Sequence, residues 1–135
     1  MPRLYREAPL NSVWEGSGNV NALDVLRAVQ REPVSLDALL AELGEVRGAD
    51  RRYDAALTDL LQSLADLSDL EFRARRVVVR MATLLQGSLL LRHSDAAVAD
   101  AFCASRLDGD GGLVFGTLPH GVDAASIVQR ASPNS

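Results

Sequence analysis

Asp69-Leu70-Glu71-Phe72-Arg73-Ala74-Arg75-Arg76-Val77-Val78-Val79-Arg80-Met81-Ala82-Thr83-Leu84-Leu85-Gln86-Gly87-Ser88-Leu89-Leu90-Leu91 is the stretch that decides the fold. Its first half sets arginines among apolar side chains, with Arg73, Arg76 and Arg80 at i, i+3 and i+7, the spacing of one helical face. Its second half is apolar nearly all round. A helix of that kind needs neighbours on most sides, so the stretch predicts a central helix inside a bundle. The run from Met81 to Leu91 is broken by Thr83, Gln86, Gly87 and Ser88. It falls short of the roughly 18 to 20 apolar residues that span a bilayer.

Working back towards the N-terminus, three more helices are predicted. One runs from about Asp50 to Leu67, with Tyr53, Leu57, Leu60, Leu61 and Leu64 facing inward. A shorter one, capped by Ser35, carries Leu36, Leu39, Leu40 and Leu43 at i, i+3, i+4 and i+7, and Gly44 or Gly48 closes it. The earliest starts near Asn19 or Asn21, both good N-caps, buries Leu23, Val25, Leu26 and Val29, and stops at Arg31-Glu32-Pro33. Ahead of it, residues 1–19 are punctuated by Pro2, Pro9, Gly16 and Gly18 and are expected to be irregular. Towards the C-terminus, Ser94 or Asp95 can cap a helix through Val98, Phe102 and Leu107, or the central helix runs straight on. Asp108-Gly109-Asp110-Gly111-Gly112 breaks it, Val114 to Leu118 is a loop or short extended stretch, and Val122 to Arg130 forms a last short helix. The fold class expected is all-α, a small bundle of about five to six helices preceded by an irregular N-terminal loop.

The bulk numbers agree. At 135 residues with 47% hydrophobic content and only 4% aromatics, one modest core built of Leu, Val and Ala is expected. The net charge of −4 gives no general attraction to nucleic acid. All basic side chains other than the histidines are arginine, the better group for bidentate phosphate and carboxylate contacts, so their placement matters more than the total. A lone cysteine, Cys103, and two isolated histidines, His93 and His120, build neither a disulfide nor a zinc site. Cys103 beside Phe102 reads as core, and Asp108 and Asp110 lack the later ligands of a calcium loop. No metal site is expected. The absence of an N-terminal basic-then-apolar plan points to a cytoplasmic protein.

The N-terminal segment carries the chemistry. Leu4-Tyr5-Arg6-Glu7 followed by Trp14-Glu15-Gly16-Ser17 resembles a stretch of the acyl-CoA dehydrogenases, in which a Tyr-Arg-Asp element leads into an aromatic-Glu-Gly-Thr motif. The continuation Gly18-Asn19-Val20, then Leu23-Asp24-Val25-Leu26-Arg27, is most similar to the AidB-like branch, alkylation-response flavoproteins related to isovaleryl-CoA dehydrogenase. Beyond it the likeness is looser, with Gly112 to Leu118 as its best local echo. The resemblance implies two parts. Residues 1–32 would end the dehydrogenase's C-terminal bundle, with the catalytic-base loop and last helix, and residues 33–135 would be an extra helical domain.

By that resemblance Glu15 matches the carboxylate that removes the α-proton of an acyl-CoA thioester. Gly16, Ser17 and Asn19 fall at the cofactor contacts, with Ser17 in place of the usual Thr. FAD is implied for the full-length parent, and none is expected to stay with this chain alone. Most of the flavin and acyl-CoA pockets come from parts of the family's fold that precede this stretch, so the chain is expected to be inactive by itself. Its implied partners are the remainder of the parent flavoprotein, the acyl-CoA held there, and further subunits, since the family commonly forms tetramers.

Two further readings use other residues. Arg27 and Arg31 share a face of the first helix, and with Arg73, Arg76 and Arg80 they could neutralise phosphates of double-stranded DNA, which the AidB-like resemblance also implies. Read structurally, the same arginines pair with Asp24 or Glu32 and with Asp69 and Glu71. The third reading is an oligomerisation domain that associates through the apolar face of residues 77 to 91.

Overall fold

The computed structural model describes residues 2–12, 18–66, 68–108 and 116–132. Among them the chain is all helical: α1 Pro2–Glu7, a 3-10 segment Ala8–Ser12, α2 Gly18–Arg31, α3 Pro33–Gly44, α4 Arg51–Ala65, α5 Leu70–His93, α6 Ala96–Arg106 and α7 Ala124–Ala131. The expected all-α bundle is found. The first stretch differs from the irregular loop read in the sequence, because residues 2–12 wind into α1 and the 3-10 segment. Six residues are too few to show a hydrophobic period, and Arg3 donates to Glu7 (2.9 Å) one turn on, a local pairing that supports the turn.

Helix boundaries follow local chemistry. Pro33 stands in the first turn of α3, where its missing N–H costs nothing, and Ser35 Oγ donates to the Glu32 carbonyl (2.7 Å). The expected Ser35 cap therefore moves to Glu32. Gly48 adopts φ +86°, turning the chain between α3 and α4, and its N–H reaches the Asp54 carboxylate (3.1 Å). Asp50 caps α4 by accepting from the N–H groups of Arg52 (2.8 Å) and Tyr53 (3.3 Å). Asp69, before α5, holds the left-handed φ of +49°.

As predicted, α5 is the centre: α2, α3, α4 and α6 all pack on it. The main core joins Leu43 and Val46, then Tyr53, Leu57 and Leu60 of α4, Val77, Met81 and Leu84 of α5, and Cys103 and Leu107. Tyr53 is fully buried and its hydroxyl donates to the Leu43 carbonyl (2.9 Å). Its ring lies against Gly87, so close that a Cβ there would sit 3.2 Å from the ring. A second small cluster, Ala22 and Leu26 of α2 with Ala74 of α5, seats α2. The small residues bring the two helices together, and the apolar period alone did not single out Ala22. No helix among the described residues is long and apolar enough to cross a membrane.

Candidate functional site

Glu15, Gly16 and Ser17 lie outside the described residues, as does Trp14. Asn19 is in the first turn of α2 and exposed. Its Oδ1 accepts from Arg75 Nη1 (3.1 Å), and the same guanidinium lies against Gly18, 3.3 Å from where a Cβ would stand. Arg75, one turn into α5, thus brings its charge to the start of α2. The helix dipole already makes that end positive. This corner is the part of the sequence-predicted cofactor contact that is described. Arg75 was only a bystander in the sequence, because its neighbour lies 56 positions away.

The five arginines proposed for phosphate contact have separate fates. Arg27 donates to Asp24 (2.7 Å), as the structural reading expected. Arg31 is exposed at the end of α2. Arg73 turns instead into the α4–α5 junction, where its Nη2 donates to the carbonyls of Asp66 (2.6 Å) and Ser68 (2.7 Å) and pairs with the Asp66 carboxylate (3.5 Å). Its expected partners, Asp69 and Glu71, are passed over because the free carbonyls after α4 lie directly beneath it. Two hydrogen bonds from Ser68 hold Asp66 below the ordinary carboxylate range, with the Arg73 charge adding to them.

Arg76 and Arg80 do come together, in company the sequence did not name. With Arg75, Val79 and Thr83 of α5 and with Arg106 and Leu107 from the end of α6, they line an open groove of about 340 Å³. Neither Arg76 nor Arg80 has an acidic partner among the described residues. Arg106 could not be placed there from sequence, since only the packing of α6 on α5 brings it alongside.

The remaining titratable groups are structural. Cys103 is fully buried, and burial pushes its thiol up to about 11, so it is no ready nucleophile. Burial pushes the Tyr53 hydroxyl up to about 12. Asp50, Arg52 and Asp100 form an ion network: Arg52 Nη2 lies 2.6 Å from Asp50 and 2.7 Å from Asp100, tying the start of α4 to α6. The Arg52 hydrogen bond holds Asp50 below its usual range and raises the Arg52 value in turn. His93 and His120 are exposed. Among the described residues no group of three or more His, Cys, Asp or Glu is placed to hold a metal ion.

No family model matches the chain. Two curated proteins do. AidB of Escherichia coli (strain K12), which its name places with the acyl-CoA dehydrogenases, is 39% identical over 113 residues, 84% of this chain and 20% of that protein. Acyl-CoA dehydrogenase family member 11 of Caenorhabditis elegans is 29% identical over 120 residues, 74% of this chain and 19% of that protein. The chain therefore spans about a fifth of the length of the curated relatives it matches. It belongs to the acyl-CoA dehydrogenase family, as an AidB-like C-terminal region.

Proposed function

We propose that this chain is the end of an acyl-CoA dehydrogenase-like, FAD-dependent oxidoreductase that removes hydrogen from the α and β carbons of an acyl-CoA thioester, and that it is inactive alone. The observation carrying this is the 39% identity to AidB across 84% of the chain but only a fifth of that protein. The proposed division falls between residues 32 and 33. It coincides with the Glu32-Pro33 break between α2 and α3, and α2 packs across it onto α5 through Ala22, Leu26 and Ala74.

In this reading Glu15 takes the α-proton, and FAD, when the parent holds it, supplies the hydride acceptor. Proton abstraction requires a carboxylate within hydrogen-bond reach of the proton it removes. Gly16 allows close approach, and Ser17 offers a hydroxyl. The start of α2, with Arg75 against Gly18 and Asn19, suits an anionic group such as a cofactor phosphate. The test is dye-linked acyl-CoA oxidation by the full-length parent, by its Glu15→Gln variant and by this chain. The variant is expected to lose about a hundredfold or more in turnover, with none by the isolated chain. Full activity in the variant, or turnover by the chain alone, would refute the assignment.

A second reading is favoured by the arginine groove: α5 and α6 as a surface for double-stranded DNA, contacting phosphates without reading bases. Arg76 and Arg80 are available for this, Arg75 and Arg106 flank them, and Arg73 is occupied at its turn. Fluorescence anisotropy with a short duplex at two salt concentrations tests it. Micromolar binding that weakens steeply with salt, and is largely lost in an Arg75→Ala, Arg76→Ala, Arg80→Ala variant, is expected. Binding unchanged in the triple variant would dismiss the groove. Self-association through residues 77 to 91, the third reading, has little surface left. Most of that face is buried within the bundle, and Val79 and Leu89 are its large apolar side chains that remain exposed.

A further inference from the structure

The arginines of α5 have different ends. Arg73 closes the α4–α5 junction, Arg76 and Arg80 face the groove, and Arg92 pairs with Glu42 of α3. Arg75 borders the groove too, but its guanidinium ends at the start of α2. Nη1 donates to Asn19 Oδ1 (3.1 Å), and Cζ, Nη1 and Nη2 lie 3.3 to 3.4 Å from where a Cβ on Gly18 would stand. The group therefore fills the space a side chain at position 18 would take and holds the next residue as well. Such a hydrogen bond, from a charged donor, is among the stronger contacts that one side chain makes.

Packing puts this contact in reach. Ala74, the residue before Arg75, is buried with Ala22 and Leu26 of α2, and Ala22 stands one turn after Gly18. The first turn of α2 is thus held twice, by small apolar side chains beneath it and by a guanidinium at its start. Gly18 directly follows Glu15-Gly16-Ser17, so a contact that fixes Gly18 fixes one end of the segment carrying the base. A base works only within hydrogen-bond reach of its proton, and a displacement of about 1 Å can cost about a hundredfold in rate. With the division after residue 32, the turn that is held belongs to the dehydrogenase part, and Arg75 belongs to the extra helical region.

We propose that Arg75 is a positioning residue for the dehydrogenase reaction. It sets where α2 begins and so where Glu15 is delivered, and through it the extra helices are part of the working site rather than an appendage. The proposal rests on the flavoenzyme reading, with Glu15 as the base. Arg75 takes no proton in this role and acts through Gly18 and Asn19.

Two measurements test it. In the full-length parent, Arg75→Ala should lower turnover about tenfold or more, while flavin content and the KM for acyl-CoA stay within about twofold. Substrate deuterated at the α carbon should then show a larger isotope effect than in the unaltered parent, because proton abstraction has become the slower step. Arg75→Lys, which keeps the charge, should recover part of the loss, and Arg75→Ala should add little to Asn19→Ala, since both remove one contact. In the 135-residue chain, Trp14 is the single tryptophan and lies ahead of Gly18. Its quenching by acrylamide should rise in Arg75→Ala, with helix content by circular dichroism unchanged. Normal turnover of Arg75→Ala, in a parent that Glu15→Gln silences, overturns this proposal and leaves the flavoenzyme reading standing. Loss of flavin on Arg75→Ala, or Trp14 quenching that does not move, overturns it as well. Full activity of the Glu15→Gln parent instead removes the reading on which it rests.

Discussion

Gly87 and Tyr53 show how far a single side chain can depend on one that is missing. The ring occupies the space a Cβ would need, and it cannot retreat, because its hydroxyl is held by the Leu43 carbonyl and its faces are enclosed. Gly87→Ala gains about 1 kcal/mol of helix propensity and meets an overpacking cost of about 1 to 3 kcal/mol. A net loss of about 1 kcal/mol is expected, read as a lower urea midpoint with an unchanged slope. Asp69 presents the opposite case. Its left-handed φ of +49° is strained for any residue with a Cβ, and its side chain caps nothing in return. Asp69→Gly should raise stability by about 0.5 to 1 kcal/mol in the same assay. In the sequence, Gly87 is visible only as an interruption of an apolar run. Its partner lies 34 positions away on another helix, and no local pattern connects them.

Among the elements, the ion network of Asp50, Arg52 and Asp100 does two jobs, since Asp50 both caps α4 and holds the arginine that reaches α6. The Arg52 and Asp50 side chains are 17% and 13% exposed, so removing the guanidinium leaves a largely sheltered carboxylate. Arg52→Ala should cost about 1 to 3 kcal/mol, more than an exposed pair would. The folded chain holds Asp50 below its ordinary value, so the network's contribution is complete above about pH 4 and is lost as pH falls through the lower, folded value. Asp50→Asn should lower stability at neutral pH and flatten the acid limb of a stability–pH curve. Helices α2 to α6 were legible because each shows an apolar period over at least two turns and most carry a stop signal, such as Glu32-Pro33 or the glycines after Leu43. α1 was not, being too short to show one. Arg73, Arg76 and Arg80 share a face by spacing, but that face meets different surroundings along its length, a helix end at Arg73 and an open groove at Arg76 and Arg80. Periodicity gives direction around an axis and says nothing of what lies opposite.

At the scale of the whole molecule, two acids buried in one core set its alkaline limit. Tyr53, raised to about 12, and Cys103, raised to about 11, both stay neutral in the folded chain beyond the pH at which they would ionise when unfolded. Stability from this source is therefore complete below about pH 9 and falls as pH rises towards 12. Urea midpoints measured at pH 8, 10 and 11 should decline in order, and Cys103→Ala should lessen the first part of that decline. The family could be read from the Trp14 to Ser17 stretch and its continuation, and Arg76 and Arg80 from their spacing, whereas Arg106, which completes the groove, had no sequence signal. It comes from a separate helix, α6, whose place beside α5 exists only after folding. The central place of α5 also bears on how the polypeptide is made. Helices α2, α3 and α4 are synthesised before it, and each needs it as a packing partner. A ribosome that pauses before Leu70 holds α2, α3 and α4 without the helix on which they all pack, the state most open to aggregation and to capture by chaperones. Completion of one late helix, rather than stepwise growth of the core, is then the event that commits the nascent chain to its fold.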